Sequence, residues 1–375
     1  MLIDIIAGAR PNFMKIAPII EAIHEEQRVG TSLQYRLIHT GQHSDKRMSA
    51  AFFEQLGIPE PHIKLEVSPG TQAEMTASIM TRYENVLNAQ RPDMVLVVGD
   101  VTSTLACAVT AKKMKDIPVA HVEAGIRSGD WTMPEEINRI VTDSVTDYFF
   151  TTSITANENL RQSGIPDSHI YFVGNTMIDT LLKHQSRFRA PELWQELNLQ
   201  PRNYIVMTMH RPSTVDNGRK LKSLLEAVID ASAGMQIIFP VHPRTANMLD
   251  RIGGVHAPNL YKTEPLPYLE FNYLVQHAKA VVTDSGGITE EATVMHVPCM
   301  TLRDTTERPE TCTIGTNELL GTDPSAIPHA FNTLFAGLWK QGSIPELWDG
   351  QTAKRIIYVL KEVALSKKYR SEYII

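Results

Sequence analysis

Ile117-Pro118-Val119-Ala120-His121-Val122-Glu123-Ala124-Gly125-Ile126-Arg127, followed by Met133-Pro134-Glu135-Glu136-Ile137-Asn138-Arg139, is the stretch on which the fold turns. The first piece reads as a short apolar strand ending in an acid. The second opens a helix, because Pro134 suits a first helical position and acids suit a first turn. A strand's carboxyl end and the start of the next helix face the same crevice of an open α/β sheet. Carboxylates there, with arginines among them, point to proton transfer beside an anionic substrate. Glu135 and Glu136 are about 100° apart on the helix, so only one can point squarely at a ligand, and Glu135 is the stronger candidate. Its spacing to Arg139 also allows an ordinary i,i+4 surface pair.

Outward from this stretch, short β-rich runs alternate with helical patterns. Strands are expected at 2–7, 35–40, 94–99, 119–122, 148–152 and 170–173, and again at 204–209, 236–240, 260–263, 280–283 and 299–302. Helical patterns fill the gaps, for example at 14–26, 73–90, 221–232 and 268–278. Such alternation predicts parallel sheets with right-handed crossovers. Two series of roughly 170 residues predict an α/β protein of two Rossmann-like, doubly wound domains. The expected division is 1–173, 174–355 and a helical tail, 356–375, placed to pack back on the N-terminal domain. No G-x-G-x-x-G follows the first strand and no P-loop occurs, which argues against a dinucleotide or P-loop reading.

The bulk numbers agree with a globular chain. Of 375 residues, 43% are apolar and 21% charged, and the net charge is −6. Nothing here suggests a nucleic-acid or membrane partner, so an anionic ligand must be met by local basic groups. Cys107, Cys299 and Cys312 are far apart and fit neither a zinc nor a disulfide framework, so no metal is expected. No apolar run reaches about 18 residues, and the first residues lack a basic start, so a cytoplasmic protein is expected.

Further candidates stand at the ends of predicted strands. Gly8-Ala9-Arg10-Pro11 is a strand-to-helix turn in which Arg10 and Lys15 can grip phosphate, or simply decorate an ordinary turn. Asp100, in Val98-Gly99-Asp100-Val101-Thr102, is either a helix N-cap or a carboxylate in the crevice. His210 and Arg211 end the first strand of the second series, and Val241-His242-Pro243-Arg244 repeats the pattern on the next. The anion site with most support is Asp284-Ser285-Gly286-Gly287-Ile288, where the free N–H groups of Ser285, Gly286 and Gly287 and the helix dipole suit a phosphate. Glu291, one turn on, can accept from ribose hydroxyls.

Assembled, these residues resemble the UDP-N-acetylglucosamine 2-epimerase family, nearly end to end. The resemblance rests on Gly8-Ala9-Arg10-Pro11, His39-Thr40-Gly41-Gln42-His43, Gly99-Asp100, Glu123-Ala124-Gly125, Pro134-Glu135-Glu136, His210-Arg211, Asp284-Ser285-Gly286-Gly287 and Arg303-Asp304-Thr305-Thr306-Glu307-Arg308-Pro309-Glu310. It implies a GT-B-like fold, two Rossmann-like domains facing a cleft that holds UDP. In the non-hydrolysing branch it assigns catalysis to Asp100, Glu123, Glu135 and His210, with Arg10, Lys15 and Arg139 lining the same cleft. Ser285, Gly286 and Gly287 would hold the diphosphate, Glu291 the ribose, and Arg308 the substrate or a loop near it. Phe271 and the backbone near Leu266 would flank the uracil. Gln42, His43 and His242 are candidates for a second UDP-sugar or phosphate site.

The sequence departs from that branch in places. Pro212-Ser213-Thr214 follows His210-Arg211 where a second arginine and Glu-Asn are usual, Asn12 replaces a glutamate, and Ser68-Pro69-Gly70 lacks an expected arginine. The implied reaction needs no cofactor: UDP is eliminated to a 2-acetamidoglycal and added back after protonation from the opposite face. A UDP-sugar substrate and a homodimer are the implied partners, and cell-surface polysaccharide biosynthesis the implied setting. A 2-epimerase of a UDP-2,3-diacetamido uronic acid, a hydrolysing epimerase, a GT-B glycosyltransferase and a non-catalytic sugar-nucleotide sensor are the other readings.

Overall fold

A computed structural model of the protein describes residues 1–41, 55–68, 70–114 and 117–373, with the side chains of Arg10 and 366–373 outside the description. Gln42 and His43 lie outside the described residues. The chain divides into two compact units, Met1–Lys183 with Glu346–Ile375, and His184–Pro345.

In chain order the first unit contains β1 Leu2–Ala7, α1 Arg10–Arg28, β2 Gln34–His39, β3 Ile63–Lys64, α2 Gln72–Ala89, β4 Met94–Val98 and α3 Thr102–Lys113. There follow β5 Val119–Ala124, α4 Pro134–Ser144, β6 Tyr148–Thr151, α5 Ile154–Gln162, β7 Ile170–Phe172 and α6 Thr176–His184. The strands form one parallel sheet ordered β3-β2-β1-β4-β5-β6-β7. Every residue of β4 and β5 is buried, as expected of strands covered on both faces by helices. Helix α2 begins at a capping box between Thr71 and Glu74 and buries Ile79, Tyr83 and Leu87 on the sheet. Helix α3 is short-sided, and its Ala106, Cys107, Ala108 and Ala111 join the same core.

The second unit contains β8 Tyr204–Thr208, α7 Gly218–Ala231, β9 Gln236–Pro240, α8 Pro243–Arg251, β10 Leu260–Thr263 and α9 Tyr268–His277. It continues through β11 Ala280–Thr283, α10 Gly286–Val294, β12 Cys299–Thr301, α11 Pro309–Thr313, β13 Asn317–Leu319 and α12 Ile327–Phe335. Its parallel sheet runs β10-β9-β8-β11-β12-β13. The chain then returns to the first unit as α13 Thr352–Tyr373.

The division at Lys183/His184 lies ten residues beyond the one expected from the sequence. The reason is local: on α6, Thr180 Oγ1 donates to the Met14 carbonyl at 2.6 Å, and Asp179 accepts from the amides of Thr352 and Ala353 at 3.1 and 2.7 Å. These bonds dock α6 and the start of α13 onto the first sheet's unit. Lys361 of α13 also pairs with Glu26 of α1 at 2.7 Å. Among the described residues no helix is long and apolar enough to cross a membrane.

Both strand orders reverse direction next to the first strand, between β1 and β4 and between β8 and β11. At such switch points the connections diverge to opposite faces and leave an opening beyond the strands' carboxyl ends. The candidate residues must be sought there.

Candidate active site

In the first unit, β1 hands over to α1 through Gly8 and Ala9. Asn12 fixes this turn: its Oδ1 accepts from the amides of Gly8 and Ala9 at 3.1 and 2.9 Å, and its Nδ2 donates to the Val98 carbonyl at 3.0 Å. One amide side chain thus ties the ends of β1 and β4 together. The sequence marked Asn12 only as a departure, with no sign of this bracing. Gly8 is required by contact, since a Cβ there would meet Ser103 Oγ at 1.9 Å.

Lys15, one turn into α1, forms a buried ion pair with Glu123. Glu123 has φ +73°, and the register between β5 and β6 slips between Val122 and Ala124. A left-handed glutamate is strained by roughly 1–3 kcal/mol, a cost found chiefly at functional sites. The bulge re-aims the carboxylate out of the strand's normal alternation.

Asp100 does not cap α3, whose N-cap is Val101. Its Oδ2 instead accepts from Arg139 Nε and Nη2 at 3.0 and 2.6 Å, and Asn138 Nδ2 donates to its carbonyl at 2.8 Å. Arg139 is buried and also donates to Glu136 at 2.6 Å. The pairing with Glu135 that the spacing allowed is therefore replaced by contacts with Asp100 and Glu136. Glu136 accepts from the amides of Ser128 and Gly129, each at 3.0 Å. Burial pushes its carboxyl up, but these bonds and Arg139 hold it below the ordinary value. Glu136 is thus a loop anchor. Glu135, half-buried beside it, has no hydrogen-bonding or ionic partner among the described residues.

In the second unit, Asp284 is the hub. Its carboxylate accepts from the amides of His210 and Arg211, both at 2.9 Å, and from His210 Nδ1 at 3.0 Å. Burial works against its charge, but the imidazole and the two amides outweigh it and depress its pKa. With Nδ1 turned to Asp284, Nε2 is the nitrogen of this 40% exposed ring left for a ligand. His242 lies beside it, ring centroids 5.7 Å apart, and its Nδ1 accepts from the Arg244 amide at 3.2 Å as the N-cap of α8.

The Ser285-Gly286-Gly287 turn opens α10 as expected, with one correction. The Ser285 amide is taken by Thr283 Oγ1 at 2.9 Å, so it is not among the free donors. The amides of Gly286 and Gly287, in the first turn of the helix, lack the intrahelical acceptors that later residues have. Gly286 admits no side chain, since a Cβ would stand 2.6 Å from Glu307 Oε1. Glu307 in turn pairs with Arg211 at 3.2 Å and Arg303 at 2.6 Å. Glu291 is buried and its Oε1 accepts from Tyr268 Oη at 2.9 Å. Arg308, also buried, is ion-paired with Glu290. Leu266 and Phe271 are half-buried around the start of α9. No group of His, Cys, Asp and Glu among the described residues is arranged to hold a metal ion.

The family model for UDP-N-acetylglucosamine 2-epimerase matches residues 25–361. This chain belongs to that family. The UDP-N-acetylglucosamine 2-epimerase of Methanocaldococcus jannaschii is 37% identical over 96% of this chain and 99% of its own. The structure of the Methanocaldococcus epimerase in complex with UDP-GlcNAc and UDP matches with a TM-score of 0.86, over 96% of this chain and 100% of that one. The Neisseria meningitidis epimerase bound to UDP-GlcNAc matches with the same TM-score at 28% identity, over 96% and 100% of the two chains. The UDP-2,3-diacetamido-2,3-dideoxy-D-glucuronate 2-epimerase of Pseudomonas aeruginosa is 39% identical over 89% of this chain and 92% of its own. The two Rossmann-like units are those of a GT-B-like epimerase fold.

Proposed function

We propose that this protein is a non-hydrolysing UDP-N-acetylglucosamine 2-epimerase, acting through elimination and re-addition of UDP. The observation that carries this reading is the acid set at the strand ends of the first unit. Asp100 and Glu123 are each held by a cation, and Glu135, in the first turn of α4, has no cation paired with it among the described residues. The hydrogen on carbon 2 of the sugar is not acidic, so a carboxylate base must remove it as the carbon 1–oxygen bond breaks. The C–H electrons form the C1=C2 bond of 2-acetamidoglucal, and the C–O pair leaves on the diphosphate. Protonation of carbon 2 from the other face and attack of the same phosphate oxygen on carbon 1 complete the inversion. Two faces require two differently placed acid–base groups.

In this reading the departing diphosphate is stabilised by the Gly286 and Gly287 amides, the α10 dipole and His210. Glu291 accepts from the ribose, and Leu266 and Phe271 flank the uracil. Arg139 serves by holding Asp100, and Arg308 by holding Glu290 beneath the glycine turn. His242 neighbours His210 as a second phosphate contact. The reading extends to a cytoplasmic homodimer whose product enters cell-surface polysaccharide synthesis.

The second reading, a 2-epimerase of a UDP-2,3-diacetamido uronic acid, is favoured by the identity to the Pseudomonas relative. Proton NMR with UDP-N-acetylglucosamine in deuterium oxide separates the cases. Deuterium entry at carbon 2 with a UDP-N-acetylmannosamine anomeric signal is the expected result. Free N-acetylmannosamine with UDP indicates hydrolysis. No reaction with UDP-N-acetylglucosamine, but turnover of the uronate, indicates the second substrate.

A further inference from the structure

His121 takes no part in the reaction above, yet it is fully buried among apolar strands and both its ring nitrogens are engaged. Nε2 lies 2.8 Å from the Gly99 carbonyl oxygen. A carbonyl can only accept, so this nitrogen donates. Nδ1 lies 2.7 Å from Asp143 Oδ1. The other oxygen of Asp143 receives Arg127 Nη1 at 2.7 Å and the Gly125 amide at 3.1 Å.

The targets of these bonds matter. Gly99, with φ +68°, precedes Asp100, and its carbonyl sets the plane of the peptide that carries Asp100. His121 and Gly125, both held by Asp143, are the ends of a five-residue arc centred on the left-handed Glu123. One buried His–Asp pair therefore grips the backbone on both sides of Glu123 and immediately before Asp100. A buried polar pair of this kind adds little net stability compared with apolar packing of the same volume. Its place between β5 and α4 is better explained by geometry.

We propose that His121, held by Asp143, is a positioning residue that sets the spacing of Asp100 and Glu123. The proposal rests on the epimerase reading for its kinetic consequence, and on hydrogen bonds alone for the brace. The test uses the full-length protein with His121→Phe, which fills the space, His121→Gln, whose amide nitrogen can replace Nε2, and Asp143→Asn. Misplacement of about 1 Å costs on the order of 10²-fold in turnover, so His121→Phe should lower kcat by about that factor. The Kd for UDP, set by the second unit, should stay within about twofold, and His121→Gln should recover roughly tenfold of the loss.

Wild-type kcat in His121→Phe, equal damage in His121→Gln, or a parallel loss of UDP affinity would overturn the proposal. Should His121→Phe fail to fold, His121→Gln and Asp143→Asn carry the test: one must stay within about tenfold of wild type and the other must lose kcat without losing UDP affinity. A separate readout needs no substrate. The His121 ring N–H should give a slowly exchanging downfield proton signal that His121→Gln abolishes and Asp143→Asn shifts. Absence of that signal from the wild type overturns the brace. Its presence in a wild type that turns over no UDP-2-acetamido sugar overturns the epimerase reading and leaves the brace standing.

Discussion

Lys15 holds Glu123 and Arg139 holds Asp100, so both cations serve to aim these carboxylates. If Asp100, Glu123 and Glu135 are the proton-transfer set, Asp100→Asn, Glu123→Gln and Glu135→Gln should each lower kcat by about 10²–10⁴-fold, the range of general acid–base groups. Steady-state rates, read beside an unchanged UDP affinity, check this, and a variant near wild-type rate leaves the set. Gly8 makes a packing prediction: Gly8→Ala forces a Cβ to 1.9 Å from Ser103 Oγ and should destabilise by roughly 1–3 kcal/mol. Urea unfolding measures this, and Ser103→Gly in the same chain should restore part of the loss. At this scale the sequence named the acids but not their partners. Arg139 reaches Asp100 across 39 residues of chain, a distance no local spacing reveals. Asn12 was legible only as a substitution, because its bond to the Val98 carbonyl depends on β4 lying beside β1.

Among the elements, long amphipathic helices and fully apolar central strands were readable, since their periodicity is set by burial. The edge strands β3 and β13 were not, being two and three residues long and too short to carry a pattern. The Gly-Gly turn at the start of α10 was read correctly as a helix N-terminus, while the loss of the Ser285 amide to Thr283 needed the folded turn. The link between β8 and β11 through Asp284 has a pH signature. Asp284 has a folded pKa below its unfolded one. Its contribution is therefore complete above the unfolded value of about 3.9 and is lost as pH falls through the lower folded value. Asp284→Asn should be less stable than wild type near neutral pH, and the gap should narrow below about pH 3.9. Thermal midpoints of the two proteins between pH 7 and pH 2.5 measure it, and a gap independent of pH would remove the ionised carboxylate from the account.

At the scale of the molecule, two alternating series of strands and helices were legible, and a helical tail from 356 was expected to pack back on the N-terminal domain; the return begins earlier, at Glu346, in a loop segment too short to carry a pattern. That return makes the first unit discontinuous and the second contiguous. Trp348 is buried with its Nε1 donating to the Thr152 carbonyl at 3.0 Å, and Ile356, Ile357 and Leu360 are buried behind it. Residues 184–345 expressed alone should fold cooperatively and bind UDP, with about 2.7 kcal/mol of stabilisation at a hundredfold excess over Kd. Residues 1–345 should retain a folded second unit and lose the first, which thermal unfolding with and without UDP will show. The same discontinuity orders events during translation. The second unit is complete while the first still lacks its last helix, so the earlier-made half of the protein finishes later. At 5–20 residues per second the strands of the first sheet wait roughly 10–40 s for that helix. During that interval their apolar faces and open edges are the natural cargo of ribosome-bound chaperones.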